Sequence, residues 1–259
     1  MAQAIISRRG GGSGYATITF NGVSALKRTG AAALYQSRYG LAATTVGDYA
    51  LFGGGYNGSF LSTVDVYDYN LARTRMSWLS QKRDDLSATT VGNYALFGGG
   101  RTRSGTTDTF QSTVDAYDTS LTRTTPTALS VARANFSATT VGDYALFGGG
   151  ENGQNLSTVD AYDTNLINSI SESFIAPQRG TRATTVGDYA LFGGGSGPTG
   201  STESATVNAY YVNNKVLVYP GTKYKLGSMS TESTSSTMQE IETTAPITGY
   251  IKIKDATIN

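Results

Sequence analysis

The stretch Ala43-Thr44-Thr45-Val46-Gly47-Asp48-Tyr49-Ala50-Leu51-Phe52-Gly53-Gly54-Gly55 occurs four times in this chain. Further copies end at Gly100, Gly150 and Gly195, with a single change, Asn93 for the Asp, in the second. Successive copies lie 45, 50 and 45 residues apart. Each runs on through a loop of differing sequence into STVDVYD (Ser62 to Asp68), STVDAYD (Ser112 to Asp118), STVDAYD (Ser157 to Asp163) and ATVNAYY (Ala205 to Tyr211). Leu71, Leu121 and Leu166 follow, then Arg73 and Arg123. Arg38, Arg83 and Arg133 each stand nine residues before the Gly of the next VGD or VGN, where the fourth copy has Gln178 with Arg179 beside it. A repeat of this length marks a supersecondary unit that cannot bury its apolar faces alone and must stack on its neighbours.

One unit reads as four short strands. Ala43 to Val46 is rich in β-branched residues and stops at Gly47-Asp48, a two-residue Gly-X connection suited to a type II′ hairpin. Tyr49 to Phe52 returns with Tyr49 and Leu51 on one face and Ala50 and Phe52 on the other, so both faces are apolar and both need cover. A sheet held between two like sheets meets that need. The three glycines let the chain leave the strand with positive φ and let neighbouring backbone come close. Val64, Val66 and Tyr67 make the third strand, and the segment from Leu71 makes the fourth. Four-stranded units repeated in this way are the pattern of a β-propeller.

A Gly-Gly after an apolar strand, then V-D-x-Y-D, at a period near 50, resembles the kelch repeat over residues 38–219. The resemblance implies an all-β, kelch-like β-propeller with four continuous four-stranded blades. The aromatic that kelch repeats place after the Tyr-Asp occurs only as Trp78, and farther along, so packing between blades is expected to use other side chains. The rest of the chain divides into a flexible N-terminal segment 1–14, closing strands 15–37, a Ser/Thr-rich linker or loop 220–245, and a C-terminal strand 246–259. Leu26 precedes Arg38 by the interval that separates Leu71 from Arg83 and Leu121 from Arg133, which makes 15–37 half a blade. Ile247 to Lys254, apolar residues alternating with Lys, resembles the hairpin around VGDYALF and would supply the other half. A composite fifth blade from the two termini is therefore expected to close the ring. The rival is four blades with a separate C-terminal attachment segment.

The composition agrees with a turn-rich β protein. Of 259 residues, 32 are Gly and only 5 Pro, and half of the glycines belong to the four triplets and the four VG turns. Charged residues make up 15% and the net charge is +1, which fits neither a polybasic nucleic-acid binder nor an acidic disordered tail. The chain has no Cys and no His, which removes disulfides, thiolate nucleophiles, the usual zinc ligand sets and every imidazole triad. No metal, cofactor, nucleic acid or membrane insertion is expected, and an oligomer is possible. The opening MAQAIISRRGGGSG lacks an apolar core behind Arg8 and Arg9, so export by a signal peptide is not expected.

Nine of the thirteen aspartates fall at repeated positions, in the VGD turn (Asp48, Asp143, Asp188) or in V-D-x-Y-D (Asp65, Asp68, Asp115, Asp118, Asp160, Asp163). A catalytic pair is needed once, whereas a turn or strand-end hydrogen bond is needed in every unit, so these nine read as structural. Arg38, Arg83 and Arg133 likewise read as ties between adjacent blades, through backbone carbonyls or the repeated Asp. The alternative is a ring of guanidinium groups for an anionic ligand. The GGG lacks the Lys-Ser/Thr of a phosphate loop. Asp84, Asp85, Asp108, Glu151 and Glu203 are the non-repeated acids near loops, and no pair among them has a telling spacing.

What varies is the loop after each GGG. Its candidates for contact with a ligand or partner are Tyr56, Asn57 and Phe60, then Arg101, Arg103, Asp108 and Phe110, then Glu151, Asn152, Gln154 and Asn155. These loops should emerge at one end of the propeller with the adaptable composition of recognition surfaces, unless they record only drift at loop tips. The expected function is a non-enzymatic binding or structural module. The ends IISRRGGGSG and TAPITGYIKIKDATIN resemble those of bacteriophage tail and other virion proteins, which implies a virion protein contacting host-surface proteins, other virion proteins or glycans. The alternatives are a cytoplasmic kelch protein-interaction scaffold and a sugar-modifying propeller enzyme of epimerase or lyase type. The copper-radical oxidases of that architecture need His and a Cys-linked Tyr, which this chain lacks.

Overall fold

The computed structural model describes residues 28–198 and 202–212, together with the strands at 214–218, 223–224, 233–234 and 239–243. The protein is all-β, with no helix among the described residues. Sheet 1 is the meander β1 (Ala42–Val46), β2 (Tyr49–Gly53), β3 (Thr63–Tyr67) and β4 (Arg73–Trp78). Sheet 2 holds β5 (Ser87–Val91) and β6 (Tyr94–Gly98), a separate hairpin of β7 (Arg101–Ser104) with β8 (Thr107–Phe110), and then β9 (Val114–Asp118) and β10 (Arg123–Thr124). Sheet 3 is β11 (Ser137–Val141), β12 (Tyr144–Gly148), β13 (Val159–Tyr162) and β14 (Asn168–Ile170). Sheet 4 has three strands, β15 (Arg182–Val186), β16 (Tyr189–Gly193) and β17 (Val207–Tyr210). The next strand, β18 (Asn214–Val218), pairs not with β17 but with β21 (Gln239–Thr243), and β19 (Lys223–Tyr224) pairs with β20 (Ser233–Thr234). Paired strands thus occupy part of the 220–245 span.

All sheets are antiparallel, and the first hairpin has the same register in each unit: Val46 opposite Tyr49, Val91 opposite Tyr94, Val141 opposite Tyr144 and Val186 opposite Tyr189. The first loop residue is left-handed every time, with φ of 51° to 53° at Gly47, Gly92, Gly142 and Gly187. Consecutive sheets pack through their first strands, β1 on β5, β5 on β11 and β11 on β15. Threonines lock this contact, with Oγ1 atoms 2.8 to 2.9 Å apart between Thr44 and Thr90, Thr89 and Thr140, and Thr139 and Thr185.

Three apolar cores lie between the sheets rather than inside any of them. Val46, Leu51, Val64 and Val66 of sheet 1 meet Phe97 and Tyr117 of sheet 2; Val91, Leu96 and Val114 meet Phe147 and Tyr162; Val141, Leu146 and Val159 meet Phe192. Leu79, Leu129 and Phe174, each four residues before Arg83, Arg133 or Gln178, fill these seams and are buried, whereas Trp78 is exposed. The Phe rings come so close that glycine is required opposite them. A Cβ on Gly53 would lie 2.8 Å from the Phe97 ring, and one on Gly98 would lie 3.1 Å from Phe147.

The residues nine before each VG turn join one sheet to the next. Arg83 donates its N–H to Leu61 O and accepts from Gly55 N–H, both in sheet 1. Its side chain reaches into sheet 2, 2.7 Å from Asp115 Oδ2 and 3.1 Å from Phe97 O. Arg133 does the same between sheets 2 and 3, ending 2.8 Å from Asp160 and 2.9 Å from Phe147 O. Arg38 reaches Asp65 at 2.8 Å and Phe52 O at 2.9 Å in sheet 1. All three ion pairs are fully buried, and burial pulls the Arg83 and Arg133 guanidinium groups below their ordinary pKa against the pull of their aspartates. In the fourth unit both partners change together. Gln178 stands for Arg and Asn208 for Asp, and Asn208 Nδ2 donates to Gln178 Oε1 at 2.9 Å.

The second Asp of V-D-x-Y-D has a different duty. Asp68 accepts from the N–H groups of Asn70 and Ala72, Asp118 from Ser120 and Thr122, and Asp163 from Asn165 and Ile167. That cap holds Leu71, Leu121 and Leu166 left-handed at φ of 62° to 63°.

The row of sheets does not close among the described residues. Val186 is 60% exposed where Val46, Val91 and Val141 are at most 4% exposed, and Val207 is 57% exposed where Val64, Val114 and Val159 are fully buried. Residues 28–37 run without strand pairing, and 15–27 and 246–259, which the composite blade also needs, lie outside the described residues.

Removing one member of a buried ion pair strands the other, so Arg133→Ala should cost roughly 3–5 kcal/mol of unfolding free energy. The double variant Arg133→Gln with Asp160→Asn copies the fourth unit and should recover at least half of that loss. Urea denaturation of the two variants beside the parent protein makes the comparison, and equal instability would show that the pairs are not interchangeable.

Candidate functional site

One end of the structure gathers the segments that differ between units. Arg38, Arg83, Arg133 and Gln178 act as spokes, each reaching into the sheet that follows it, and the residue after each spoke forms an isolated β-bridge to the residue after each GGG: Tyr39 to Tyr56, Asp84 to Arg101, Ala134 to Glu151 and Arg179 to Ser196. The backbone at these eight positions repeats while the side chains do not. A chain of backbone hydrogen bonds underlies them, from Gly180 N–H to Asn135 O, Asn135 N–H to Asp85 O and Asp85 N–H to Gly40 O. These residues all have positive φ. The varied side chains therefore stand on a shared and rigid base.

Between sheets 1 and 2 they enclose a cavity of about 370 Å³ lined by Tyr39, Tyr56, Phe60, Asp84, Asp85, Arg101, Arg103 and Gly105. One wall is aromatic. The Tyr39 and Tyr56 rings lie 5.7 Å apart and those of Tyr56 and Phe60 5.0 Å apart, tilted or edge-on as aromatic quadrupoles prefer. Tyr39 is 65% exposed.

The other wall is charged. Arg101 lies 2.7 Å from Asp85 Oδ2, 3.1 Å from Asp108 Oδ2 and 3.8 Å from Asp84 Oδ1. Arg103 grips Asp108 in bidentate fashion, Nε to Oδ1 at 2.6 Å and Nη2 to Oδ2 at 3.1 Å. This hydrogen bonding, with the charge of Arg101, holds Asp108 below the usual carboxylate pKa. Asp84 is 6% exposed, and its Oδ1 has no hydrogen-bond donor among the described residues. Burial, reinforced by the charge of Asp85 and only partly offset by Arg101, pushes Asp84 up to about 6.

The expected loop residues divide into two groups. Tyr56, Phe60, Arg101 and Arg103 line the cavity and Asp108 is ion-paired to its arginines. The segment carrying the last three is the β7–β8 hairpin rather than an irregular loop, and Phe110 ends it opposite Arg101. Glu151 is nearly buried and pairs with Arg179 and with Asn135 Nδ2, so it ties sheet 3 to sheet 4. Asn155 Nδ2 does likewise through the carbonyls of Ser196 and Gly197. Asn57, Asn152 and Gln154 are exposed outside the cavity. Tyr39, Asp84 and Asp85 join the site although the loop argument passes over them. Their signal is their place immediately after the spoke, where the repeat loses its regularity. Among the described residues no three acids converge as metal ligands.

Because the Asp84 pKa is higher in the folded protein than its ordinary value of 3.8, the folded form binds a proton more tightly there than the unfolded chain does. Ionised Asp84 therefore carries a stability penalty, fully present above about pH 6 and relieved as pH falls toward the unfolded value. Asp84→Asn should raise stability at pH 7.5 by about 1–2 kcal/mol, and the advantage should shrink between pH 6 and 4 in thermal melts.

No protein-family model and no curated protein matches the chain, so the site rests on its own geometry.

Proposed function

We propose that the protein is a non-enzymatic, kelch-like β-propeller that binds a partner through the loop end. In this reading the four sheets are consecutive blades, and a composite fifth blade from 15–37 and 246–259 covers the open face of sheet 4. The observation that carries the binding role is the set of eight bridged positions with constant backbone and varied side chains, which separates recognition from folding. Within the cavity the arginines are already engaged by carboxylates, an arrangement suited to shape and hydrogen-bond recognition.

The closed ring has its own support. The strap before Arg38 lies on sheet 1 as its counterparts lie on the later sheets. Tyr67 Oη donates to Ala32 O as Tyr117 does to Trp78 O, Tyr162 to Thr127 O and Tyr210 to Glu172 O. In the later units that strap arrives from the fourth strand of the preceding sheet. A strap on sheet 1 implies a preceding sheet as well.

The resemblance of the chain ends to virion proteins supports a place on a phage particle, where the partner would be a host-surface protein or glycan or another virion protein. Labelled protein should decorate intact bacterial cells of a susceptible host. The triple variant Tyr56→Ala, Arg101→Ala, Arg103→Ala should lose that decoration when assayed below its own melting transition, which will fall because Asp84, Asp85 and Asp108 lose their counter-charges. Unchanged decoration by the variant, or none by the parent together with no association with virions, would overturn the reading.

Ring closure is tested by a glycine pair. A Cβ on Gly99 would lie 2.7 Å from Arg133 O, whereas the nearest atom to one on Gly194 is Ser204 O at 3.9 Å. Both residues have positive φ, which alone costs about 1 kcal/mol on substitution by Ala. If a fifth blade packs on sheet 4, Gly194→Ala should destabilise as severely as Gly99→Ala, by more than about 2 kcal/mol. A cost near 1 kcal/mol for Gly194→Ala alone would leave the row open.

A further inference from the structure

We propose that the cavity between sheets 1 and 2 holds one uncharged pyranose residue of a carbohydrate. Its C–H face rests against the aromatic wall that Tyr39 and Tyr56 form, and one hydroxyl donates to the Asp84 carboxylate. This assignment rests on the binding-module reading and names the ligand class of that site.

Three observations converge on it. First, Tyr39 and Tyr56 present an aromatic wall at the mouth, and Tyr39 is largely exposed. A flat ring with a C–H face, such as a pyranose, covers such a wall without having to bury ring substituents. Second, the cavity has two guanidinium groups against three carboxylates, and every guanidinium is already engaged. Arg101 is held by Asp85 and Asp108, and Arg103 by Asp108. An anionic ligand would have to break those pairs while facing uncompensated negative charge, so phosphate, sulfate and sialic acid are disfavoured. Third, Asp84 lines the cavity, is more than nine-tenths buried and accepts no side-chain hydrogen bond among the described residues; its Oδ1 is shut off from solvent beside Arg101, 3.8 Å away, so the ligand meets the other oxygen of the carboxylate. A buried acceptor of this kind leaves hydrogen-bond energy unused until a donor arrives, and a sugar hydroxyl supplies the donor without adding charge. The volume of about 370 Å³ falls within the usual range of small-molecule sites, roughly 300–1,000 Å³.

The position also fits a ligand that is part of a longer chain. The site lies on the loop end, open beside the exposed Tyr39, so neighbouring sugar residues can extend over the exposed tips of Asn57, Gly58 and Ser59.

The test is a saturation-transfer NMR titration of the full chain at pH 7.5 with the methyl glycosides of glucose, galactose and mannose. Glucosamine and methyl sialoside serve as charged comparisons. At least one uncharged glycoside should saturate in the millimolar range, and methyl sialoside should not bind. Tyr39→Ala should weaken the binding about tenfold or more. Asp84→Ala should do the same without lowering the melting temperature at pH 7.5, because burial and Asp85 together outweigh the attraction of Arg101 for this carboxylate. No saturation by any uncharged glycoside, tighter binding of sialoside or glucosamine, or undiminished binding by Asp84→Ala would each overturn the assignment. If the glycosides fail while cell decoration still depends on Tyr56, Arg101 and Arg103, the loop end remains the binding surface and its ligand is not a neutral sugar.

Discussion

The structure depends on a side chain that belongs to one sheet by its backbone and to the next by its charge. Arg83 is sewn into sheet 1 by its N–H and C=O and into sheet 2 by its guanidinium. No sheet here carries a core of its own, since the three apolar clusters all lie at the seams between sheets. Sliding one sheet against the next would expose apolar surface at roughly 25 cal/mol per Å² and would also pull a buried charge from its counter-ion. The apolar contact supplies the adhesion, and the directional ion pair fixes where the sheets meet. A buried pair is a poor source of net stability but a good source of register.

The same seam explains the glycines. Gly53 and Gly98 lie under the Phe of the next sheet, and Gly54 and Gly99 lie under the carbonyl of the next spoke, Arg83 O and Arg133 O. In each of the first three triplets one glycine thus admits a ring and another admits a carbonyl that accepts a backbone hydrogen bond. Gly193 and Gly194 have no such neighbour within contact distance among the described residues, although their sequence is unchanged. The unchanged triplet at sheet 4 supports the proposal that a fifth blade covers that sheet.

Much of this was legible in the sequence because it repeats. The β2-type strand, apolar on both faces, demands sheets on both sides, and the return of Arg at a fixed distance from VGD marks it as a tie between units. The partner of that tie was less legible, because both Asp in V-D-x-Y-D recur equally. Only the fold shows that Asp65, Asp115 and Asp160 meet the arginines while Asp68, Asp118 and Asp163 cap a turn. Leu79, Leu129 and Phe174 are hard to find in the sequence because they replace one another at a seam position that keeps no single residue type. The site was half legible. The loops differ visibly after GGG, but Tyr39 and Asp84 face them from the segments that lead into β1 and β5, and periodicity alone does not pair two segments that are both irregular.

The spoke also determines what the loop end can become. Its backbone bridges at 39–56, 84–101, 134–151 and 179–196 form whichever side chains are present, because the adjoining spoke and GGG set the two chain segments in place. A Tyr pair, an Asp–Arg pair, an Ala–Glu pair and an Arg–Ser pair therefore all satisfy the same geometry. In sheets 3 and 4 the freedom is spent on a further tie, Glu151 to Arg179. In sheets 1 and 2 it yields an exposed Tyr39 and a buried carboxylate, Asp84, whose burial outweighs the attraction of Arg101 and opposes folding at neutral pH. Asp84 carries its penalty at the position where it lines the cavity beside Tyr39, and that coincidence supports the proposed binding site there.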